Sequence, residues 1–365
     1  MKKLNVLVVF GGKSGEHDVS LMSAASILRA IDQEKYNPIP VGITKDGTWK
    51  LCNCTIDEIE SGSWEGESNL LAENMKETPK ISLLPTEKGG GFIQTPNGSV
   101  EEIDVVFPVL HGPFGEDGTL QGLMEMMDLP YVGAGVLASA VAMDKGMAKK
   151  LFEADAIPQA KYVLLNRKRY FTEPDRVLQE VEEAFGYPVF VKPANLGSSV
   201  GISKAKDRGQ LMVAIEEAAK YDRRIVVEEF INCREIECAV LGNDEPIASL
   251  PAEIIPSHEF YDYRDKYFDG TSQFVIPAEI SEEMINTIRE MAIEVYGLLD
   301  CTGLARVDFF VEKETNRILV NEVNTMPGFT KISMYPKMWE VTGLPYKELI
   351  SRLIELAMER YEDRK

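Results

Sequence analysis

Positive charge is scarce in this chain. Its 365 residues hold 39 lysines and arginines against 59 aspartates and glutamates, a formal net charge of -20. So acidic a chain argues against sequence-independent binding to nucleic acid or to anionic membranes, and any anionic ligand must meet a locally basic pocket. Long apolar runs are also missing: no stretch approaches the ~18 residues a membrane-spanning helix needs. Met1-Lys2-Lys3 and the apolar residues after it imitate a secretory leader, but the run stops at Gly11-Gly12-Lys13 with no small-residue cleavage site, so a cytoplasmic protein is expected. Cys52, Cys54, Cys233, Cys238 and Cys301 have the spacing of neither a zinc site nor a disulfide scaffold, and all five are expected as free thiols. No internal repeat or low-complexity tract is evident. The glycines that follow the first apolar run lack the order Gly-x-Gly-x-x-Gly, so they form no dinucleotide fingerprint.

What remains is an ordinary globular composition, 44% hydrophobic and 27% charged, in a chain long enough for two or three domains. Leu4 to Phe10 is a continuous apolar run that feeds, through a short polar loop, a helical pattern from Val19 to Ile31, the start of a parallel α/β sheet. Asp104 to Leu110, ending in His111-Gly112-Pro113, reads as a second such strand. Asp46 to Ser99 reads as an irregular insertion with short strands at Ile81 to Leu84 and Gly91 to Gln94. A helix is expected over Val136 to Ala154. Strands are expected at Tyr187 to Lys192, Gly201 to Lys204 and Arg224 to Phe230, with a helix from Lys206 to Lys220. Further strands are expected at Ile236 to Leu241 and Ile247 to Ile254, then a polar aromatic loop from His258 to Ser272 and a helix from Ser281 to Leu299. The tail from Tyr346 to Arg360 sets Leu349, Ile350, Leu353, Ile354, Leu356 and Ala357 on one apolar face, as a packed terminal helix would.

Chemistry concentrates in a hairpin. Leu304 to Val311 and Ile318 to Asn324 are β-like runs joined by a polar turn. A turn centred on Thr315 sets Asp308 across from Glu322 and Arg306 across from Asn324, all on one face. Two facing carboxylates repel unless a cation sits between them, and carboxylates together with phosphate oxygens are the usual Mg²⁺ environment. Asn195 to Gly201 is a small-residue loop suited to closing over phosphates. Before it, Lys192 interrupts an apolar strand and needs an anionic partner; Lys145 is a second candidate. The acidic Glu228-Glu229, with Glu235 nearby, suits a nucleoside. Glu16 lies at a helix start after the first strand and His111 after the second, where ligands bind in parallel sheets. Gly328, in the turn after the hairpin, permits close backbone approach, and its N-H beside Arg306 would form a two-donor oxyanion site.

In this order the blocks resemble the ATP-grasp ligases and, within them, the D-alanine-D-alanine ligase family. The resemblance runs through Gly-Gly-Lys-Ser-Gly-Glu-His-Asp-Val-Ser from Gly11, His-Gly-Pro-Phe-Gly-Glu-Asp-Gly-Thr-Leu-Gln-Gly from His111, Met-Asp-Lys at 143 and Val-Lys-Pro-Ala-Asn-Leu-Gly-Ser-Ser-Val-Gly from Val191. It continues through Glu-Phe-Tyr-Asp-Tyr-Arg-Asp-Lys-Tyr from Glu259, Ala-Arg-Val-Asp at 305, Asn-Glu-Val-Asn-Thr-Met-Pro-Gly-Phe-Thr from Asn321 and Ser-Met-Tyr-Pro from Ser333. Asp18 departs from the glutamate common there, and Lys331-Ile332 falls where pairs vary. The resemblance implies an α/β and α+β chain: a Rossmann-like, pre-ATP-grasp domain over 1-134, a small central ATP-grasp subdomain over 135-232, and a C-terminal subdomain over 233-365.

Carried over by residue, it implies that Lys145 and Lys192 hold ATP phosphates beneath Ser198 and Ser199. Glu228 and Glu229 would meet the adenine end, with the Phe230-Ile231 backbone and the ring of Phe310, and Glu235 the ribose. Asp308, Glu322 and Asn324 would hold two Mg²⁺ (or Mn²⁺) ions. Glu16 would take the ammonium of the first D-alanine, linked through Ser198 and Tyr267, with His111 near it and Ser333 and Met334 framing the second. Lys266 and Tyr267 would ride on a lid, Lys266 reaching ATP, and Arg306 with the Gly328 N-H would stabilise the oxyanion. The implied activity is ATP-dependent ligation of two D-alanines through a D-alanyl phosphate for peptidoglycan synthesis, by a homodimer with small-molecule partners alone. D-alanine-D-serine or D-alanine-D-lactate ligation is the alternative, and a non-catalytic nucleotide-binding protein of the same fold is the rival of another class.

Overall fold

The structure, a computed structural model, describes residues 2-65, 83-85, 91-94, 100-197, 200-255, 273-330 and 332-365. Lys266 and Tyr267 with the rest of the expected lid, Ser198, Ser199 and Lys331 lie outside these. The first apolar run forms β1 (Leu4–Gly11) and the next β2 (Tyr36–Ile43), with the helix His17–Ala30 crossing between them. A short β3 (Trp49–Leu51) follows, then β4 (Leu83–Pro85), β5 (Gly91–Gln94) and β6 (Val100–Ile103) as a small antiparallel sheet, and β7 (Val105–Val109). The main sheet has the order β3-β2-β1-β7, with β1 parallel to both β2 and β7. Val6 to Phe10 are fully buried, as a parallel strand covered on both faces must be. At the end of β1, Gly11 holds φ +89°, and a Cβ there would strike the Ile43 carbonyl. The Ser20 hydroxyl accepts from the Gly11 N–H at 2.7 Å and donates to the Val109 carbonyl, tying the helix to both strands.

Two regions differ from the expected pattern. The stretch after Asp46, expected to be irregular, contains β3 and a helix, Ile56–Ser61, closed by a Thr55-Glu58 capping box. The single helix expected from Val136 to Ala154 is two, Val136–Met143 and Lys145–Ala154. Asp144 breaks it: in extended backbone, its carboxylate accepts from the Met147 N–H at 3.0 Å as an N-cap, and from Asn195 Nδ2 at 2.9 Å.

The second sheet joins β8 (Tyr162–Asn166), β9 (Val189–Pro193), β10 (Ser203–Ala205) and β11 (Arg224–Glu229) in the antiparallel order β10-β9-β11-β8, covered by the helices Pro174–Ala184 and Arg208–Tyr221. The third comprises β12 (Cys233–Gly242), β13 (Ile247–Ala248), β14 (Ala252–Ile255), β15 (Gln273–Val275), β16 (Gly303–Glu312) and β17 (Ile318–Asn324), in the order β15-β14-β12-β16-β17 with β13 beside β12. The strand expected over Ile247 to Ile254 is split. Pro251 lacks an N–H for the ladder, and Ser249 supplies a hydroxyl that accepts from the Ala239 N–H at 3.1 Å.

The tail helix, Tyr346–Asp363, buries all six predicted apolar residues. They share one core with Phe107 of β7, Phe329 and the helix Met334–Thr342, so the end of the chain is packed against its beginning. The cysteine expectation is corrected. Cys52 and Cys54 are joined in a disulfide, their Cα atoms 5.3 Å apart and within its geometric reach, while Cys233, Cys238 and Cys301 are free.

Leu353 is fully buried in that shared core. Leu353→Ala is expected to lower unfolding free energy by about 2–5 kcal/mol in urea titrations; a loss below about 1 kcal/mol would contradict the packing described.

Candidate functional site

The hairpin has the predicted register. Arg306 pairs with Asn324 and Asp308 with Glu322, and a bulge follows, since Phe309 pairs with Val320. The extra residue on β17 is Asn321, whose Oδ1 lies 3.5 Å from Lys192 Nζ. On its other side β16 pairs with β12, and Asp308 faces Glu237. Three carboxylates, Glu237, Asp308 and Glu322, therefore stand in one row across three neighbouring strands.

Cations offset them. Arg306 Nε and Nη2 donate to Asp308 Oδ1 and Oδ2, both at 2.7 Å, and Nη2 is 3.2 Å from Glu237 Oε1. Lys145 Nζ is 3.2 Å from Glu322 Oε2 and donates to the Leu196 carbonyl at 2.9 Å. Asn324 donates to Asp308 at 2.9 Å. Among the described residues no three His, Cys, Asp or Glu side chains converge as a ready metal cage. The donor set of Asp308, Glu322 and Asn324 is all oxygen, two carboxylates and an amide, which suits a hard divalent cation that also takes phosphate oxygens.

The first sheet supplies another wall. The chain leaves β1 toward β2 on one side and returns as β7 on the other, so the loops after β1 and β7 meet at the switch point of the sheet. Glu16 comes from the first loop. Its carboxylate lies so close to Gly112 that a Cβ there would be 2.3 Å from Oε2. His111 and Glu116 come from the second loop, and together they grip the backbone of one distant residue, Met326. His111 Nδ1 is 3.0 Å from the Met326 carbonyl, and the Met326 N–H donates to Glu116 Oε1 at 3.1 Å. His111 Nε2 is 3.2 Å from Ser23 Oγ, which also accepts from the Phe329 N–H at 3.2 Å. Burial holds the imidazole below its ordinary pKa, and the neutral ring fits this network with Nδ1–H donating. His111 thus braces the turn that carries Gly328. Behind that turn, Ser333 Oγ accepts from the Thr330 N–H at 3.0 Å.

The second sheet contributes a buried cluster. Lys192 Nζ donates to Glu228 Oε2 at 2.7 Å, and Lys149 Nζ lies 3.2 Å from Glu228 Oε1. Burial would raise the Glu228 carboxyl, but the two ammonium groups hold it at about 2. Below it, Ile231, Leu319 and Ala160 form an apolar patch with Phe310 packed against it. Phe230 stacks on Phe190, and Glu229 Oε1 accepts from the Lys161 N–H at 2.8 Å. Glu235 faces Phe310 across the β12–β16 ladder.

Of the predicted residues, Glu16, His111, Lys145, Arg306, Glu322, Asn324, Gly328, Ser333 and Met334 line one cleft. Lys192, Glu228, Glu229, Phe230, Ile231, Glu235 and Phe310 belong to the second sheet and its border with the third. Sequence reading passed over Glu116, Lys149, Glu237 and Asn321. Glu237 had a signal, a carboxylate in the middle of an apolar strand; Lys149 stands one helical turn after Lys145.

Residues 5–134 match the family model described as the D-ala D-ala ligase N-terminus, and residues 151–355 the model for the D-ala D-ala ligase C-terminus. The chain belongs to the D-alanine-D-alanine ligase family. It is 52% identical to the D-alanine--D-alanine ligase of Acetivibrio thermocellus, over 99% of this chain and 97% of that protein. With the D-alanine--D-alanine ligase of Caldicellulosiruptor bescii it is 50% identical, over 100% and 98%. Its structure is similar to that of the D-alanine-D-alanine ligase from Coxiella burnetii, with a TM-score of 0.85, 38% identity and 100% and 96% coverage. It is equally similar to the VanG D-Ala:D-Ser ligase from Enterococcus faecalis, with a TM-score of 0.85, 38% identity and 98% and 100% coverage. D-alanine-D-alanine ligases have the ATP-grasp fold, and the antiparallel second and third sheets after a parallel α/β unit agree with it.

Burial, and then the neighbouring Glu16, pushes the Glu116 carboxyl up to about 8. A carboxyl raised on folding contributes stability below its ordinary value near 4.5 that is lost as pH rises through 8. Thermal midpoints of the ligand-free protein are expected to decline over that window, and Glu116→Gln to flatten the decline. Equal slopes in the two proteins would refute the assignment.

Proposed function

We propose that this family member ligates two D-alanines to D-alanyl-D-alanine, with ATP cleaved to ADP and phosphate, and so supplies the dipeptide for peptidoglycan precursors. The observation that carries the reading is the meeting, in one cleft, of Glu16 from the switch point, Lys145 and Glu322, and Arg306 beside the Gly328 turn. Those groups sort the charges of an amino acid and of a nucleotide polyphosphate to opposite walls.

Lys145 and Lys192 bind the ATP phosphates, with Ser198, Ser199 and Lys266 closing over them. Phe310 and Ile231 floor the adenine, whose polar edge meets Glu228, Glu229 and the Phe230-Ile231 backbone, and Glu235 takes the ribose. Asp308, Glu322 and Asn324 hold two Mg²⁺ or Mn²⁺ ions, whose chemistry is to offset charge on the transferring phosphoryl group. Glu16 fixes the ammonium of the first D-alanine, with Ser198 and Tyr267 linked to it, so that its carboxylate attacks the γ-phosphate of ATP and forms an acyl phosphate. The amine of the second D-alanine, framed by Ser333 and Met334, attacks the acyl carbon. Arg306 and the Gly328 N–H stabilise the oxyanion until phosphate leaves. The lid excludes the water that would hydrolyse the acyl phosphate. Met334, buried at the helix start beside Ser333, presents an apolar surface to the acceptor and favours D-alanine over D-serine, while Tyr267 is the residue a D-lactate enzyme would be expected to change. We further propose a cytoplasmic homodimer without nucleic-acid or membrane partners, in keeping with the charge of -20 and with no helix among the described residues long and apolar enough to cross a membrane.

Phosphate release is expected to need both ATP and D-alanine, and competition among D-alanine, D-serine and D-lactate is expected to give mostly D-alanyl-D-alanine. Absence of that dipeptide would end the proposal; a majority of either mixed product would move the acceptor. Arg306→Ala should lower turnover by roughly a hundredfold or more while nucleotide affinity stays nearly unchanged, by comparison with loss of an oxyanion donor. Unchanged turnover would remove its role. Glu322→Gln is expected to weaken Mg²⁺-dependent ATP binding, and wild-type affinity that is equal with and without Mg²⁺ would contradict the metal assignment.

A further inference from the structure

Lys149 is 2% exposed, an unusual place for an ammonium group. Its only ion pair among the described residues is with Glu228 Oε1, at 3.2 Å. The ring of Tyr162, its centroid 5.6 Å from Nζ, closes another side. A buried lysine with one partner costs desolvation that an apolar side chain of similar volume would avoid, so packing alone does not account for it. Its position gives a reason. Lys145 and Lys149 are one turn apart and share a helix face, so a single helix delivers one ammonium to Glu322 on β17 and the other to Glu228 on β11.

Glu228 is the link. One of its oxygens meets Lys149 and the other Lys192. A carboxylate with an ammonium group beside each oxygen is restrained from swinging, and Lys192, whose flexible stem would otherwise let its ammonium wander, donates to it. We propose that Lys149 is a positioning residue for the nucleotide site: through Glu228 it fixes the aim of Lys192 at the ATP phosphates. This rests on the reading of Lys192 as a phosphate ligand given above.

The test is the affinity of the full-length protein for a non-hydrolysable ATP analogue with Mg²⁺, by calorimetry, in Lys192→Ala, Lys149→Met, Glu228→Gln and the double variant Lys149→Met/Glu228→Gln. Lys149→Met is expected to weaken binding by roughly five- to twentyfold, and to have little further effect, under about twofold, once Glu228→Gln is present. Turnover at saturating ATP should stay within about threefold of wild type, the pattern of lost ground-state binding. If Lys192→Ala weakens binding and Lys149→Met does not, the positioning role alone falls. If the losses from Lys149→Met and Glu228→Gln multiply, Lys149 acts independently of Glu228 and the proposal is overturned. If Lys192→Ala leaves affinity unchanged, the reading of Lys192 fails and takes this inference with it. Should Lys149→Met fail to fold, Glu228→Gln is compared with the double variant, which removes Lys149 together with the carboxylate it pairs with: equal affinities support the link and a further tenfold loss refutes it.

Discussion

Like charges in register on neighbouring strands repel, and the third sheet sets three of them side by side. Glu237, Asp308 and Glu322 are tolerable only if cations reach them, and much of the chain around them is arranged to deliver those cations. Arg306 comes from the same strand as Asp308, two residues away, and spans Asp308 and Glu237. Lys145 comes from outside the sheet, at the start of a helix that exists because Asp144 breaks a longer one. Asp144 also pairs with Arg224 and accepts from Asn195, so the break is anchored to the second sheet. The position of one ammonium group thus depends on contacts among three separate segments.

The N-terminal unit adds carboxylates of its own. Glu16 and Glu116 are carried to the cleft by loops whose meeting is a property of strand order, since β1 lies between β2 and β7. Glu116 and His111 hold the backbone N–H and carbonyl of Met326, which fixes a turn of the C-terminal region from the N-terminal one. The carboxylates of this unit reach the cleft on loops, whereas those of the third sheet stand on strands and are paired with Arg306 and Lys145.

The hairpin was legible because a period of two and a turn of plausible length suffice to pair Asp308 with Glu322; the bulge at Asn321 was not, because it depends on which residue a strand can spare. The tail helix was legible from its apolar face. Asp144 was hidden, because the residues on both sides of it continue one helical pattern and only the distant Asn195 and Arg224 reward a break there. Glu116, Lys149 and Glu237 share that cause. Each has partners far away in sequence, and a single buried glutamate or lysine reads as surface until its partner is known. The disulfide at Cys52 and Cys54 was misread because spacing alone gave no reason to close it.

One expectation changes in kind. An acidic chain that binds phosphates was expected to have a locally basic pocket, yet the cations of the cleft and its border are paired: Arg306 with Asp308, Lys145 with Glu322, Lys192 with Glu228. The pairing keeps each cation in place without a ligand, where an unpartnered buried ammonium would be costly. Under the proposed metal reading, a divalent cation on Asp308 and Glu322 would compete with Arg306 and Lys145 for the same carboxylates. Glu228 differs, because it has two cationic partners, Lys149 at one oxygen and Lys192 at the other, so its compensation does not depend on one side chain.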